Sequence, residues 1–319
     1  MRIACLQFAP VLGDVDNNID RANEVLRKAD PRDLDLLILP ELAFSGYNFE
    51  SLQHIKPYLE LSKSGATSDW ACTTARTYKC VVIVGYPERV DMTPQWPANA
   101  EYYNSAVIAN AEGRIIANYR KSHLYYTDET WALEGPDGFY NGEIEGLGTV
   151  AIGICMDLNP YKFESPWSDW EFAHHILYRE ANLVVVSMAW LTREDATYVS
   201  SAPLKPDEDS LSYWAARLEP LIRTEDGEEI VVVLANRCGT EGEAVYAGTS
   251  TVLGIQHGAV EIYGILGRGE TGLLVIDTMQ PSQAKLMSVS DHITSSASVQ
   301  GSSATSNVLQ GHAVVDSEA

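Results

Sequence analysis

Ile230-Val231-Val232-Val233-Leu234-Ala235-Asn236 is an unbroken apolar run, mostly β-branched, with none of the polar alternation of a half-buried strand. It is far short of the roughly 20 apolar residues that a membrane span needs. A run of this kind reads as a strand covered on both faces, as at the parallel centre of an α/β sheet. Leu183-Val184-Val185-Val186 repeats it. Around these two expected strands, at 183–189 and 230–236, similar runs predict strands at 3–8, 34–39, 80–86, 103–110, 114–119, 149–155, 249–255 and 272–277. Helices are expected at 16–29, 68–78, 167–180 and 209–224. The first of these helices places Ile19, Ala22, Val25, Leu26 and Ala29 on one face, the spacing of an apolar stripe. An α/β layered fold follows.

A chain of 319 residues makes one large domain or two modest ones, and 45% apolar against 21% charged residues excludes intrinsic disorder for most of it. The balance of 22 basic against 44 acidic residues, net −22, repels phosphate backbones and excludes nucleic acid as a natural partner, while small cations are attracted. No apolar segment is long enough to enter a membrane. Met1 to Pro10 reads as structure rather than as a targeting segment, so a cytoplasmic location is expected. Cys5, Cys72, Cys80, Cys155 and Cys238 are scattered without paired spacing, which speaks against a disulfide framework or a zinc site.

Glu112-Gly113 should turn a hairpin between two strands. Met92–Pro97 and Leu204–Asp209 read as loops, and the acidic run Asp207-Glu208-Asp209 as solvated, as does Glu225–Glu229. From about residue 280 the pattern loses its period, and the Ser-rich stretch to 319 reads as a flexible tail.

The chemistry gathers where strands end. Pro40 stops the strand at 34–39, and Glu41 follows at once in Pro40-Glu41-Leu42-Ala43-Phe44-Ser45-Gly46-Tyr47. The strand at 114–119 runs into Arg120-Lys121-Ser122-His123-Leu124, and that at 149–155 ends at Cys155, followed by Met156-Asp157-Leu158-Asn159-Pro160. Open α/β sheets bind ligands beyond the carboxyl ends of their strands. Each residue alone has an ordinary explanation: a carboxylate bonding its own loop, a solvated lysine, a small buried thiol. Together they suffice for covalent amide hydrolysis. A base takes the thiol proton, the thiolate attacks, and the ammonium holds the developing oxyanion.

Leu39-Pro40-Glu41 with Ser45-Gly46-Tyr47, Tyr119-Arg120-Lys121 with His123-Leu124, and Gly153-Ile154-Cys155-Met156-Asp157 resemble the three catalytic motifs of the nitrilase, or carbon-nitrogen hydrolase, superfamily, in its order and spacing. Glu129, eight residues after Lys121, matches the family's second glutamate, and Asn236-Arg237-Cys238-Gly239-Thr240-Glu241 resembles its late asparagine-arginine-glycine-glutamate segment. Gly46-Tyr47-Asn48-Phe49 and the stretch from Cys155 to Glu164 are similar to the fungal protein N-terminal amidase branch.

The resemblance implies a four-layer α-β-β-α sandwich over residues 1–279, with 280–319 as the tail. It implies an amidohydrolase that deamidates the side chain of an N-terminal Asn or Gln on peptides or proteins through a Cys155 thioester, feeding the N-degron pathway. Glu41 would be the general base, Lys121 and the backbone N–H of Met156 the oxyanion donors, and Glu129 the residue that orients Lys121. No metal and no organic cofactor is implied. Recognition of a free α-ammonium calls for a carboxylate, for which Asp157 is the candidate; the alternative is that Asp157 bonds its own turn. Tyr47, Tyr125, Tyr126, Trp131 and Trp190 are candidates for the pocket wall. His174-His175 points two ways from a helix, about 100° apart, and cannot converge on a metal. His123 is expected to make structural hydrogen bonds, and the other four cysteines to pack. Alternatives are an amidase for a small free amide, carbamoyl compound or nitrile, and a non-catalytic protein that binds N-degron peptides. Superfamily members commonly pair through a helix face, so a homodimer is implied, though apolar helix faces also fit burial within one subunit.

Overall fold

Strands form in this chain where branched apolar residues follow one another, since these lose little side-chain freedom on a pleated surface. The computed structural model describes residues 1–91, 99–224 and 227–286. Its strands are β1 (Arg2–Gln7), β2 (Leu36–Ile38), β3 (Glu60–Leu61), β4 (Val81–Val90), β5 (Glu101–Ala109), β6 (Ile115–Arg120), β7 (Tyr140–Ile144), β8 (Gly148–Ile154), β9 (Leu183–Met188), β10 (Ile230–Asn236), β11 (Thr240–Glu241), β12 (Ala244–Val245), β13 (Thr251–Gln256), β14 (Ala259–Ile265), β15 (Gly272–Asp277) and β16 (Ala284–Leu286). The α-helices are α1 (Val15–Ala29), α2 (Leu52–Ile55), α3 (Ala66–Tyr78), α4 (Tyr126–Glu129), α5 (Glu171–Tyr178), α6 (Ala196–Ser201), α7 (Glu208–Arg217) and α8 (Glu219–Ile222).

Two large sheets result. One runs β15-β1-β2-β4-β5-β6 with β3 beside β4; the other runs β16-β14-β13-β10-β9-β8-β7. β1, β2 and β4 are parallel at the centre of the first, and β8, β9 and β10 at the centre of the second. Alternation along a strand then builds the layers. On β1, Ala4 and Leu6 pack with Ala22, Leu26 and Ala71 of α1 and α3, whereas Ile3 and Cys5 join the core that holds Ile152, Val184 and Val232 of the second sheet. Phe172 and Ile176 of α5, Trp214 of α7 and Leu221 of α8 cover that sheet from outside. The architecture is the expected α-β-β-α sandwich. No helix among the described residues is long and apolar enough to cross a membrane.

The Glu112-Gly113 turn joins β5 and β6 as a hairpin, with Gly113 in the left-handed region. The helix expected over 167–180 starts only at Glu171, because Trp170 takes a left-handed conformation after a single 3-10 turn. The one expected over 209–224 breaks between α7 and α8, where Pro220 has no N–H to continue the ladder. Asp207 is no solvated loop residue: it is buried, caps α7 by accepting Ser210 N–H, and accepts the Thr192 hydroxyl. β7 lacks an apolar run and was invisible in the pattern. Beyond residue 279, Ala284–Leu286 pairs with β14; the rest of the Ser-rich stretch, like the loop expected at 92–97 and Glu225-Asp226, lies outside the described residues.

Candidate active site

Glu41, Lys121 and Cys155 follow β2, β6 and β8, so a carboxylate and an ammonium from one sheet meet a thiol from the other. Glu41 is fully buried, in a segment that presses on β4: a Cβ at Gly85 would lie 2.8 Å from Glu41 Cα and 2.7 Å from Leu42 N. Glycine is what admits that approach. Glu41 Oε1 accepts Lys121 Nζ at 2.6 Å and Asn104 Nδ2 at 2.7 Å, and Oε2 accepts the Ala189 N–H at 2.8 Å, from the end of β9.

Lys121 is also fully buried, and its Nζ lies 2.5 Å from Asp128 Oδ2. Asp128 accepts the Tyr125 N–H at 3.0 Å as well, at the start of α4. Glu129 therefore does not hold Lys121: it is exposed on the outer side of the same single-turn helix, and its neighbour Asp128 takes that place. No capping-box signature marks Asp128 in the sequence, since the N-cap residue is Tyr125 rather than Ser or Thr.

Cys155 sits at φ +42°, on a tight turn from β8 into a 3-10 turn over Cys155–Leu158. A non-glycine residue there is uncommon and is held by the turn around it. Asp157, fully buried, secures the turn by accepting four hydrogen bonds: from Tyr119 Oη at 2.6 Å and Ile154 N at 2.7 Å on Oδ2, and from His123 N at 2.7 Å and Ser122 N at 3.1 Å on Oδ1. Its acceptor capacity is used by the protein. Asp157 is thus a turn-fixing residue rather than a partner for an incoming ammonium. His123 is structural in the same sense, its ring between Phe139 and Tyr161 and its Nδ1 3.2 Å from Asn159 O.

The electrostatics follow from burying two carboxylates against one ammonium. Burial on its own would strip the proton from Lys121, but Asp128, Glu41 and Cys155 outweigh it and hold the amine charged beyond its ordinary range. Burial raises the Glu41 pKa, Lys121 pulls it back and Asp128 adds to the rise. Burial also pushes the Cys155 thiol well up, with the Glu41 charge adding and Lys121 and the Ala189 N–H opposing. Cys5 and Cys80, by contrast, are pushed up to about 12 by burial with no ammonium beside them. Cys155 faces Glu41 as a base and Lys121 as a buried ammonium, an arrangement able to pass its proton to Glu41.

Around this centre, the Tyr47 ring centroid lies 5.7 Å from Lys121 Nζ, and its buried hydroxyl has no partner among the described residues. Tyr125 is half-buried, its ring tilted against that of exposed Tyr126 and near Phe163. Trp131 is buried, with its indole N–H unpartnered among the described residues. Trp190 follows Ala189 and packs on Tyr213 and Trp214, and Met156 is buried directly after the thiol. The late segment has a role that sequence reading missed. Glu241 accepts the backbone N–H groups of Tyr47 and Asn48 and the Tyr246 hydroxyl and pairs with Arg237, and so holds the turn that carries Tyr47.

The family model described as Carbon-nitrogen hydrolase matches residues 2–146. The chain is 32% identical over 291 residues to the Protein N-terminal amidase of Schizosaccharomyces pombe, covering 86% of this chain and 98% of that protein. It is 31% identical over 220 residues to the Protein N-terminal amidase of Saccharomyces cerevisiae, 62% of this chain and 46% of the longer relative. A crystal structure of N-terminal amidase with an Asn-Glu-Ala peptide superposes with a TM-score of 0.76 at 23% identity, over 86% of this chain and 96% of that one, which bears on the fold.

Proposed function

The chain belongs to the carbon-nitrogen hydrolase family, in its protein N-terminal amidase branch, and from that membership we propose that it deamidates the side chain of an N-terminal Asn or Gln, giving Asp or Glu and ammonia. The observation that carries this is the similarity to the S. pombe amidase across 98% of that protein's length. The buried Glu41–Lys121 pair beside Cys155 supplies the chemistry.

In this reading Glu41 takes the Cys155 proton, and the thiolate attacks the side-chain amide carbon. Glu41 and Asp128 take two of the three Lys121 ammonium hydrogens, and the third meets the oxyanion, to which a preorganised donor contributes roughly 3 kcal/mol. Protonated Glu41 gives its proton to the departing ammonia as the C–N bond breaks, leaving a thioester. Glu41 then deprotonates a water, which attacks the thioester; the carboxylate product leaves and the thiol is reprotonated. With Asp157 saturated, the cationic N-terminus is matched by the net negative centre, two carboxylates against one ammonium, and drawn in by the chain's −22 charge. Tyr47 and Tyr125 supply the pocket wall. The products are N-terminal acidic residues, as the N-degron pathway uses in the cytosol.

Ammonia release from tripeptides beginning with Asn or Gln tests the proposal. Turnover of these peptides, none of their α-acetylated forms, and loss in Cys155→Ala are expected. Equal turnover of acetylated peptides or of free glutamine would replace it with a general amidase.

A further inference from the structure

Asn104, on β5, lies outside every motif singled out in the sequence, yet it touches both carboxylates of the centre. Its Nδ2 donates to Glu41 Oε1 at 2.7 Å and to Asp128 Oδ1 at 2.9 Å, beside the Lys121 ammonium that bridges the same two groups. Carboxylate oxygens only accept, so the amide nitrogen has to face them, and its orientation is unambiguous. Asn104 is fully buried and its own Oδ1 has no donor among the described residues. Leaving an acceptor buried in this way carries a desolvation cost that a space-filling residue would not incur.

The two oxygens of Glu41 are thereby made unequal. Oε1 accepts from both Lys121 and Asn104, which occupies its two lone pairs. Among the described residues Oε2 accepts from Ala189 N–H alone. Burial aside, the Cys155 thiol feels the Glu41 charge and the Ala189 N–H. The open lone pair of Glu41 thus belongs to Oε2. We propose that Asn104 is a positioning residue that, together with Lys121, blocks Oε1 of Glu41 and directs the Cys155 proton to Oε2. The proposal rests on the amidase reading for its purpose, but its geometry concerns only the passage of the proton between thiol and base.

The test needs no substrate. The rate of iodoacetamide alkylation of Cys155, followed by peptide mass spectrometry against pH, reports the coupled thiol and carboxylate. Charged and titratable groups facing Glu41 are Lys121 after β6, Asp128 on α4, Cys155 after β8, and Tyr47 and Tyr246. These stay the same in Asn104→Leu, which removes the donor while keeping the volume. The low-pH inflection of alkylation should move up by about one pH unit in that variant, because one hydrogen bond to the ionised carboxylate is gone. If Asn104→Leu does not melt cooperatively, Asn104→Ser, with a single hydroxyl hydrogen, is read the same way. An inflection that stays put while reactivity falls equally at every pH overturns the proposal. Failure of peptide deamidation would sink the substrate assignment and leave this result standing.

Discussion

Asp157 Oδ1 accepts the backbone N–H of His123 at 2.7 Å, tying the turn that carries Cys155 to the loop that follows Lys121. Two residues 34 positions apart thus fix the distance between the thiol and the ammonium.

Asp157→Ala leaves three buried donors and one part-buried donor without their acceptor, at about 1–3 kcal/mol for each buried one before relaxation. A loss of stability on the order of 4 kcal/mol is expected, since neighbouring donors partly re-pair. Thermal melting measures it. Whatever activity remains should keep the wild-type preference for a free over an acetylated N-terminus; selective loss of that preference would return the ammonium-binding role to Asp157.

Asp128 and Glu129 are neighbours with opposite surroundings, one fully buried against Lys121 and the other exposed. Asp128→Asn should lower kcat/KM by on the order of 10²-fold, because Lys121 loses the carboxylate that holds it and shifts from its place. Glu129→Gln should leave turnover within about twofold, as surface substitutions do. Parallel ammonia assays of the two variants decide between them, and a larger loss in Glu129→Gln would reverse the assignment.

The pH profile follows from Glu41 and Cys155 acting as a pair. A protonated Glu41 cannot accept the thiol proton, so activity falls as pH drops through its pKa, which burial raises above the ordinary carboxylate range of about 4. Lys121 and Cys155 are both held above their ordinary values, so neither ends activity near neutrality. A plateau of kcat/KM is expected from above the usual carboxylate range to about pH 7.7–8, where the α-ammonium of the peptide substrate loses its proton. An acid limb centred at about pH 4 would mean that a carboxylate not shifted by burial is the base.

Much of this was legible in the sequence because strands buried on both faces declare themselves as unbroken apolar runs, and because Glu41 and Cys155 each follow one, while Lys121 follows the edge strand β6. What stayed hidden depended on contacts between sheets. Asn104 reads as a polar residue in a β-strand, and nothing local shows that Glu41 and Asp128 converge on its amide. Glu129 fitted the family's spacing, but a one-turn helix sets two adjacent side chains about 100° apart, and the inner one is Asp128. Glu241 reaches the Tyr47 turn from 194 residues away. Asp157 was legible as a residue type, not as a saturated acceptor.

Gly85 gives a test of how tightly the base is placed. A Cβ there would meet Leu42 N, Glu41 Cα and Pro40 O at 2.7, 2.8 and 2.9 Å, all backbone atoms that cannot rotate aside. Gly142, on edge strand β7, is crowded instead by the tip of the Tyr140 side chain, which can swing away. Gly85→Ala should therefore push the Glu41 segment off Cys155, lowering turnover on the order of 10²-fold and stability by about 1–3 kcal/mol. Gly142→Ala should leave turnover close to wild type. In the proposed mechanism the Cys155 thiol relies on Glu41 for its deprotonation, so the alkylation rate of Cys155 should fall along with turnover in Gly85→Ala. Wild-type turnover in that variant would mean that the carboxylate tolerates displacement and that close placement of the base is not what limits the reaction.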